Sequence, residues 1–355
     1  MKHTTSALAA MVAIAALALT GCASGGGEST APETGGGNSA EAPDVAFDGA
    51  EGGLESSYGE PEIQEGYSFT IGWLTPTLAN AFVKAVYDAG KAETERLGGE
   101  FIGLDAGLNV DNQVSQCNQL IAQGVDAIAV YGVDPSALGP CLEEAASLGI
   151  PIVGQDTPPQ AGEELLPSYT SAVLQGVDYP RYLTAQNAAS LAPGTKFATI
   201  GVNIPVPLLQ YSIGRAEHWA GEFGLEFTER VDAQGDTSEA SADATNTIIT
   251  RNPDVKVIIT YNDAAASAAA NTLAAAGIDD VLVYGISGHQ TTIDLIKEGG
   301  VTGTVLLDTE QIGIQQVWGL YNLLTEQNLP LPKQIVPAPT LVTAENADSV
   351  VGIAG

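Results

Sequence analysis

The chain has 355 residues, 45% of them hydrophobic, with 12 Lys and Arg against 43 Asp and Glu and a formal net charge of -31. That length gives room for more than one domain, each with a substantial core. The charge argues against nucleic acid, which needs a basic surface facing its phosphates, and against docking on anionic lipid through basic residues; it reads as a solubilising surface.

Lys2 and His3 precede an apolar run, Ala7 to Leu19, too short to span a bilayer as a mature helix. Leu19-Thr20-Gly21-Cys22 follows it and resembles a bacterial lipobox. The resemblance implies a signal peptide over residues 1–21 and lipid on Cys22. A buried or redox role for Cys22 fits poorly, because the Ala-Ser-Gly-Gly-Gly behind it can bury nothing. Residues 22–66 are rich in Gly, Ser, Thr, Pro and Glu, and no Lys or Arg occurs between Lys2 and Lys84. Such a composition predicts a disordered acidic tether, with a mean reach on the order of 35 Å.

From Ser68 strands and helices alternate. A strand over Phe69–Leu74 leads to a helix over Asn80–Leu97, with Phe82, Val86, Ala89 and Leu97 at helical spacing. Phe101–Asp105, Ala127–Tyr131 and Pro151–Gly154 read as strands, and Asp111–Gln123 and Pro135–Leu148 as helices. The last of these strands runs into Gln155-Asp156-Thr157-Pro158-Pro159. Trp73 reads as core, and Tyr131, also near a strand end, stays open.

Cys117 and Cys141 fall in consecutive predicted helices. If the sheet order starts 2-1-3-4, right-handed crossovers set those helices side by side. A Cys117–Cys141 disulfide is then geometrically reasonable outside the cytoplasm, two free buried thiols being the alternative.

The pattern restarts with a helix over Val173–Leu191, a strand over Lys196–Gly201, a mostly helical Leu208–Phe223, a short strand Leu225–Thr228 and a helix Glu239–Arg251. Then comes Val255 to Asp263. Five of its first six residues are β-branched, which suits a strand buried on both faces. Tyr261-Asn262-Asp263 follows, and then an Ala-rich helix ending at Gly277, with Asp263 placed to cap it. Polar residues at a strand's carboxyl end are where open α/β sheets bind ligands. A strand Val281–Tyr284, a helix Thr291–Glu298, a strand Val301–Leu307 and a helix Ile312–Thr325 complete the unit. Pro330, Pro332, Pro337 and Pro339 then predict a segment crossing the surface. Two α/β units with a cleft between them is the architecture this implies.

Over Phe69 to Pro337 the sequence resembles the type I periplasmic binding proteins, in their ribose-binding-protein-like branch serving ABC importers. The resemblance rests on Asn80-Ala81-Phe82, Gln123-Gly124-Val125-Asp126-Ala127-Ile128, Gly149-Ile150-Pro151-Ile152 with Asp156, Arg215 to Trp219, Asn252 through Asp263, Ala275-Ala276-Gly277 and Gln311-Ile312-Gly313. It implies two doubly wound parallel-sheet α/β lobes joined by a three-strand hinge. The lobes would be 67–170 plus 308–334 and 171–307 plus 335–355. It also implies ligand contacts. Asn80 would bond a hydroxyl, Phe82 would offer a ring face, Asp156 would accept from hydroxyls, Arg215 would donate in a fork, and Asn262 would do both. A polyhydroxy ligand needs many directional bonds and a flat apolar wall. Asn80 and Asp263 also fit plain helix caps, Phe82 fits core, and Arg215 fits a surface ion pair.

The sequence departs from the family at several pocket positions. Thr157 stands for a basic residue, Ser287 for an Asp, Leu307 (with Asp308 beside it) for a Gln, Asp236 for an aromatic and Pro76 for a Ser. His289, near Ser287, is within reach of the cleft. Loss of those anchors points away from ribose to a differently substituted sugar, a polyol or a related small polar molecule.

An enzyme is not expected, since no catalytic constellation, metal-ligand spacing or phosphate-binding Gly-rich loop occurs; nor is a cofactor. A DNA-binding regulator of related fold would need a helix pair where this chain has a lipobox. The sequence therefore predicts a monomeric, lipid-anchored receptor on the outer face of the bacterial cell membrane, handing its ligand to an ABC permease. The alternative is a receptor for a nucleoside or furanose signal, coupled to a sensor.

Overall fold

The structure, a computed structural model, describes residues 42–204 and 206–354. The signal peptide, Cys22 and the first part of the tether lie outside them. Among the described residues no helix is long and apolar enough to cross a membrane.

From Thr70 the chain forms β1 (Thr70–Thr75), α1 (Ala81–Arg96), β2 (Glu100–Asp105), α2 (Val110–Gln123), β3 (Ala127–Val130), α3 (Pro135–Ser147), β4 (Ile152–Gln155) and β5 (Ser171–Val173). It continues through α4 (Asp178–Leu191), β6 (Lys196–Val202), α5 (Pro207–Glu222), β7 (Glu226–Ala233), α6 (Ser238–Arg251), β8 (Val257–Thr260) and α7 (Asp263–Ala275). The last elements are β9 (Leu282–Tyr284), α8 (Gln290–Lys297), β10 (Gly303–Leu306), α9 (Thr309–Thr325), β11 (Gln334–Ile335) and β12 (Thr340–Thr343).

Two six-stranded sheets result. The first runs β11-β5-β4-β3-β1-β2, all parallel; the second runs β12-β10-β9-β8-β6-β7, parallel except for β12 against β10. Helices cover both faces of each, which is why β3 is apolar throughout, β8 is apolar up to its last residue, Thr260, and both are wholly buried. On the first sheet one face carries Trp73, Val153 and α9 residues such as Ile312 and Leu320, and the other carries Leu120, Leu138 and Leu142. On the second, Trp219 and Phe223 pack on one face, and Ile248 and Leu273 on the other. These are two doubly wound α/β lobes. Cys117 on α2 is bonded to Cys141 on α3, their Cα atoms 6.3 Å apart.

Between the lobes the chain crosses after β5, between β10 and α9, and between β11 and β12. The crossings refine the expected boundaries. Ser171–Val173 belongs to the first sheet, pairing with β4 and β11, so α4 starts at Asp178 instead of Val173. The strand predicted to end at Thr228 runs to Ala233. The proline-rich end also builds core: β11 and β12 join one sheet each, and Ile335 and Val342 are fully buried.

The expected tether is ordered over its described part. Its composition averages out three anchors: Phe47 packs on Tyr179, Tyr182 and Trp219, Glu51 is buried, and Tyr58 is 3% exposed within the first lobe's core.

Candidate functional site: the strand ends facing the interlobe cleft

Parallel strands aim their carboxyl ends, and the loops behind them, at one edge of each sheet. In the first lobe that edge carries Asn80, Tyr131, Gln155 and Asp156; in the second it carries Asp236, Asn262, Ser287 and His289.

Asp156 follows β4 directly. Its backbone is left-handed (φ +48°) and the residue is 7% exposed. Its Oδ1 accepts from Gln175 N–H at 2.8 Å, on the crossing after β5, while Oδ2 has no protein partner. Burial, opposed by the Gln175 hydrogen bond and by the neighbouring Gln155 side chain, pushes its carboxyl up to about 7, with a smaller push from nearby Glu51. Tyr131 faces the same carboxylate, and its phenol is raised by burial and by Asp156. Gln155 and Gln316 lie buried beside it, Gln316 Nε2 donating to Gln155 Oε1 at 3.2 Å. Gln155 Nε2 and Gln316 Oε1 have no protein partner. A protein interior leaves few buried polar atoms unpaired; three gathered near one strand end, Gln155 Nε2, Asp156 Oδ2 and Gln316 Oε1, set this spot apart.

In the second lobe the helix cap is Asn262 and not Asp263, which the sequence had placed there. Asn262 is the α7 cap, its Oδ1 accepting from Ala265 N–H at 2.8 Å. Its Nδ2 donates to Asp236 Oδ1 at 3.2 Å, which also accepts from Tyr261 Oη–H at 2.7 Å. Asp263 is fully buried beneath the turn. Its Oδ2 accepts from the N–H groups of Gly288 (2.8 Å) and His289 (2.6 Å), and its Oδ1 from Thr304 Oγ1–H (2.6 Å). Burial raises its pKa against those bonds. A cap needs only one exposed oxygen; Asp263 instead ties β8, the β9 turn and β10 together. Gly285 is required there, since a Cβ on it would sit 2.2 Å from Asp263 Oδ1. Asp263 thus holds Ser287, whose φ of +127° is a strained value for a non-glycine residue.

Arg181 was missed by sequence reasoning. It is fully buried on α4, with Nε on Ser212 Oγ (2.9 Å), Nη1 on Thr260 O (3.0 Å) and Nη2 on Tyr261 O (3.4 Å). Burial lowers its pKa to about 9, with nearby Asp263 opposing the shift. A charged residue on a helix face gave no sign that it would be buried against the end of β8. Gln155 and Gln316 were missed for a related reason: Gln155 stands beside the more conspicuous Asp156 and Gln316 beside Gln315, and nothing in the sequence says what either would face.

The remaining expected residues fall into two groups. Asn80 caps α1, accepting from Val83 N–H at 3.1 Å, and Asp308 caps α9, accepting from Gln311 N–H at 3.0 Å; both stand at the cleft edge. Phe82 packs in the first lobe's core, in one cluster with Ile286 and Leu307 from across the hinge. Arg215 is not free in the way expected. Its Nε donates to buried Asp178 Oδ1 at 2.5 Å and its guanidinium lies over Trp219 at 5.0 Å. Asp178 also accepts from Trp219 Nε1–H at 2.6 Å. Among the described residues no cluster of His, Cys, Asp and Glu is arranged to hold a metal ion.

The family model described as a periplasmic binding protein domain matches residues 71–328. The chain belongs to this family. Among its relatives, the ribose import binding protein of Bacillus subtilis is 27% identical over 245 residues, 69% of this chain and 78% of that protein. Among solved structures, a periplasmic ribose ABC transporter protein from Conexibacter woesei is 20% identical with a TM-score of 0.69, covering 84% of this chain and 96% of that one. An ABC transporter solute-binding protein from Mycobacterium smegmatis, with bound glycerol, is 23% identical with a TM-score of 0.68, covering 81% and 98%. The doubly wound lobes are the family's fold, and membership places this chain among solute-binding transport proteins.

Proposed function

We propose that the protein captures a neutral sugar or polyol between its lobes, outside the cytoplasm, and delivers it to an ABC importer. It works as a monomer held to the outer face of the membrane by lipid on Cys22. The carrying observation is the set of unpaired buried polar atoms at the end of β4: Gln155 Nε2, Asp156 Oδ2 and Gln316 Oε1. Two acceptors and a donor suit hydroxyl groups, each of which both gives and accepts a hydrogen bond. Asn80, Asn262, Ser287, His289, Asp236 and Asp308 supply further polar positions, and Phe82, packed with Ile286 and Leu307, backs the apolar side. Arg215 is already engaged, so the cleft has less positive charge than the sequence promised, and an anionic ligand is disfavoured. The ribose-binding names of the relatives support the transport role, while Thr157, Leu307 and Ser287 in place of polar anchors argue for a ligand other than ribose.

A thermal-shift screen of pentoses, hexoses, amino sugars, inositols and small polyols, followed by calorimetry on the best, tests this. One or more neutral polyhydroxy compounds should stabilise the protein, with ribose not the tightest. Stabilisation by amino acids or organic anions alone would reject the reading.

A further inference from the structure

The segment ahead of β1 does more than connect. At its start Pro43 lies against Gly224, and Val45 O accepts from Tyr182 Oη–H at 2.7 Å. Phe47 then makes aromatic contacts with Tyr179, Tyr182 and Trp219, at 4.9, 5.4 and 5.5 Å between ring centroids. All of these partners belong to the second lobe. A short 3-10 turn, Ala50–Gly53, follows beside the hinge. There Glu51 Oε1 accepts from Val177 and Asp178 N–H (2.8 and 2.9 Å), and Oε2 from Tyr179 N–H (2.8 Å). It thereby satisfies the free amides of α4, whose own N-cap residue, Val177, has no side-chain acceptor. Gly176, at φ +68°, lets the crossing pass: a Cβ there would lie 2.6 Å from Val336 Cγ1 and 3.3 Å from Glu51 Oε2.

Further on the segment reaches the first lobe. Glu55 bridges Ile335 in parallel, and Val336 N–H donates to Glu55 O at 2.9 Å. Tyr58 Oη shares a 2.7 Å hydrogen bond with Ser171 Oγ, Tyr58 N–H donates to Gln315 Oε1 at 2.9 Å, and Asn322 Nδ2 donates to Gly59 O at 3.0 Å. Among the described residues no side-chain hydrogen bond or ion pair joins the lobes directly, apart from the bond of Asp156 to the hinge crossing.

We propose that residues 42–58 form a fourth interlobe strand, and that Glu51 is a positioning residue for the ligand cleft. The geometry is a short relay. Glu51 grips Val177, Asp178 and Tyr179, at the far end of the same crossing whose Gln175 N–H holds Asp156 Oδ1. The strand is anchored on Trp219 at one end and on Ser171 at the other, so rotation about the hinge must carry both anchors. It therefore restricts the range of lobe angles in the ligand-free protein and keeps Asp156 aimed while the lobes move. If binding needs one lobe arrangement, broadening the range lowers the competent fraction and weakens apparent affinity in proportion.

Spin labels on Glu95→Cys and Glu239→Cys, one exposed site per lobe, report the interlobe distance in the full chain carrying Cys22→Ser. Phe47→Ala should broaden that distribution without ligand. Resting on the proposed function, it should also weaken the tightest sugar or polyol from the screen about tenfold. Glu51→Gln should weaken binding and also lower the pH midpoint of binding, because one of the two titratable groups facing Asp156 (Glu51 and Tyr131) loses its charge. Phe47→Ala should leave that midpoint in place, which separates positioning from loss of packing. Should Phe47→Ala fail to fold, Phe47→Leu carries the same test. A folded variant with an unchanged distance distribution, or Glu51→Gln with unchanged affinity and midpoint, overturns the proposal. If no polyhydroxy compound binds the parent protein, the proposed function fails, but the ligand-free distances still judge the strand.

Discussion

The two walls of the cleft are built on one plan and finished differently. Among the described residues five buried side-chain polar atoms lack a protein partner: Gln116 Oε1, Gln155 Nε2, Asp156 Oδ2, Tyr169 Oη and Gln316 Oε1. All five belong to the first lobe. In the second lobe the corresponding groups are bonded to one another: Asp263 to Gly288, His289 and Thr304, and Asp236 to Tyr261 and Asn262. A wall with unfinished bonds gains most from a ligand, because each buried polar atom left unpaired costs about 1–3 kcal/mol. A wall whose bonds are complete supplies shape and rigidity. Affinity should therefore concentrate in the first lobe, and stability of the binding turns in the second.

The largest effect that can break this division is on stability. Asp263→Ala should cost about 3–5 kcal/mol, since it removes a fully buried carboxylate from three donors and leaves the charge of nearby Arg181 uncompensated. Urea denaturation at pH 7 measures it, and a loss below about 1 kcal/mol would mean the second wall is not held from within. Asp156→Asn should do the opposite. Its carboxyl is pushed up to about 7, so folding favours the protonated form. The stability this gives is full in acid, below the ordinary carboxylate range, and is lost as pH rises toward 7. At pH 8 the Asn variant should be no less stable than the parent, yet bind the ligand about 100-fold more weakly, a change of about 2.7 kcal/mol. Equal losses of stability and affinity would erase the distinction between the walls.

The sequence carried the strands, the helices and the two-lobe plan, because burial on both faces of a parallel sheet demands continuous apolar runs such as Val257–Ile259. It also pointed to the strand ends, where binding is proposed. Which polar residue does what there was harder to read. Asn262 and Asp263 are neighbours, both suited to capping a helix, and only tertiary packing decides that Asn262 takes the cap while Asp263 turns inward. Arg215 was legible as part of a motif, but its engagement with Asp178 depends on how α4 and α5 pack. Glu51 was hidden because its segment is polar and Gly-rich on average. A single carboxylate that satisfies three amides leaves no trace in composition.

The smallest expected effect concerns the proton on Asp156. With Glu51 and Tyr131 as its titratable neighbours and no basic residue bonded to it, the carboxyl is pushed up to about 7, which brings its titration near neutral pH. Ligand hydroxyls donating to Oδ2 favour the carboxylate, because a charged acceptor makes the stronger bond. Binding should then release a proton below pH 7, and affinity should rise about tenfold from pH 6 to pH 8 before levelling off. Calorimetry in two buffers of different ionisation enthalpy counts the proton, and the Asp156→Asn variant should show neither the release nor the slope. A fall in affinity with rising pH would reverse the assignment: the carboxyl would then serve the ligand as a donor, and the unpaired Oδ2 of the first wall would be a hydroxyl in the working state.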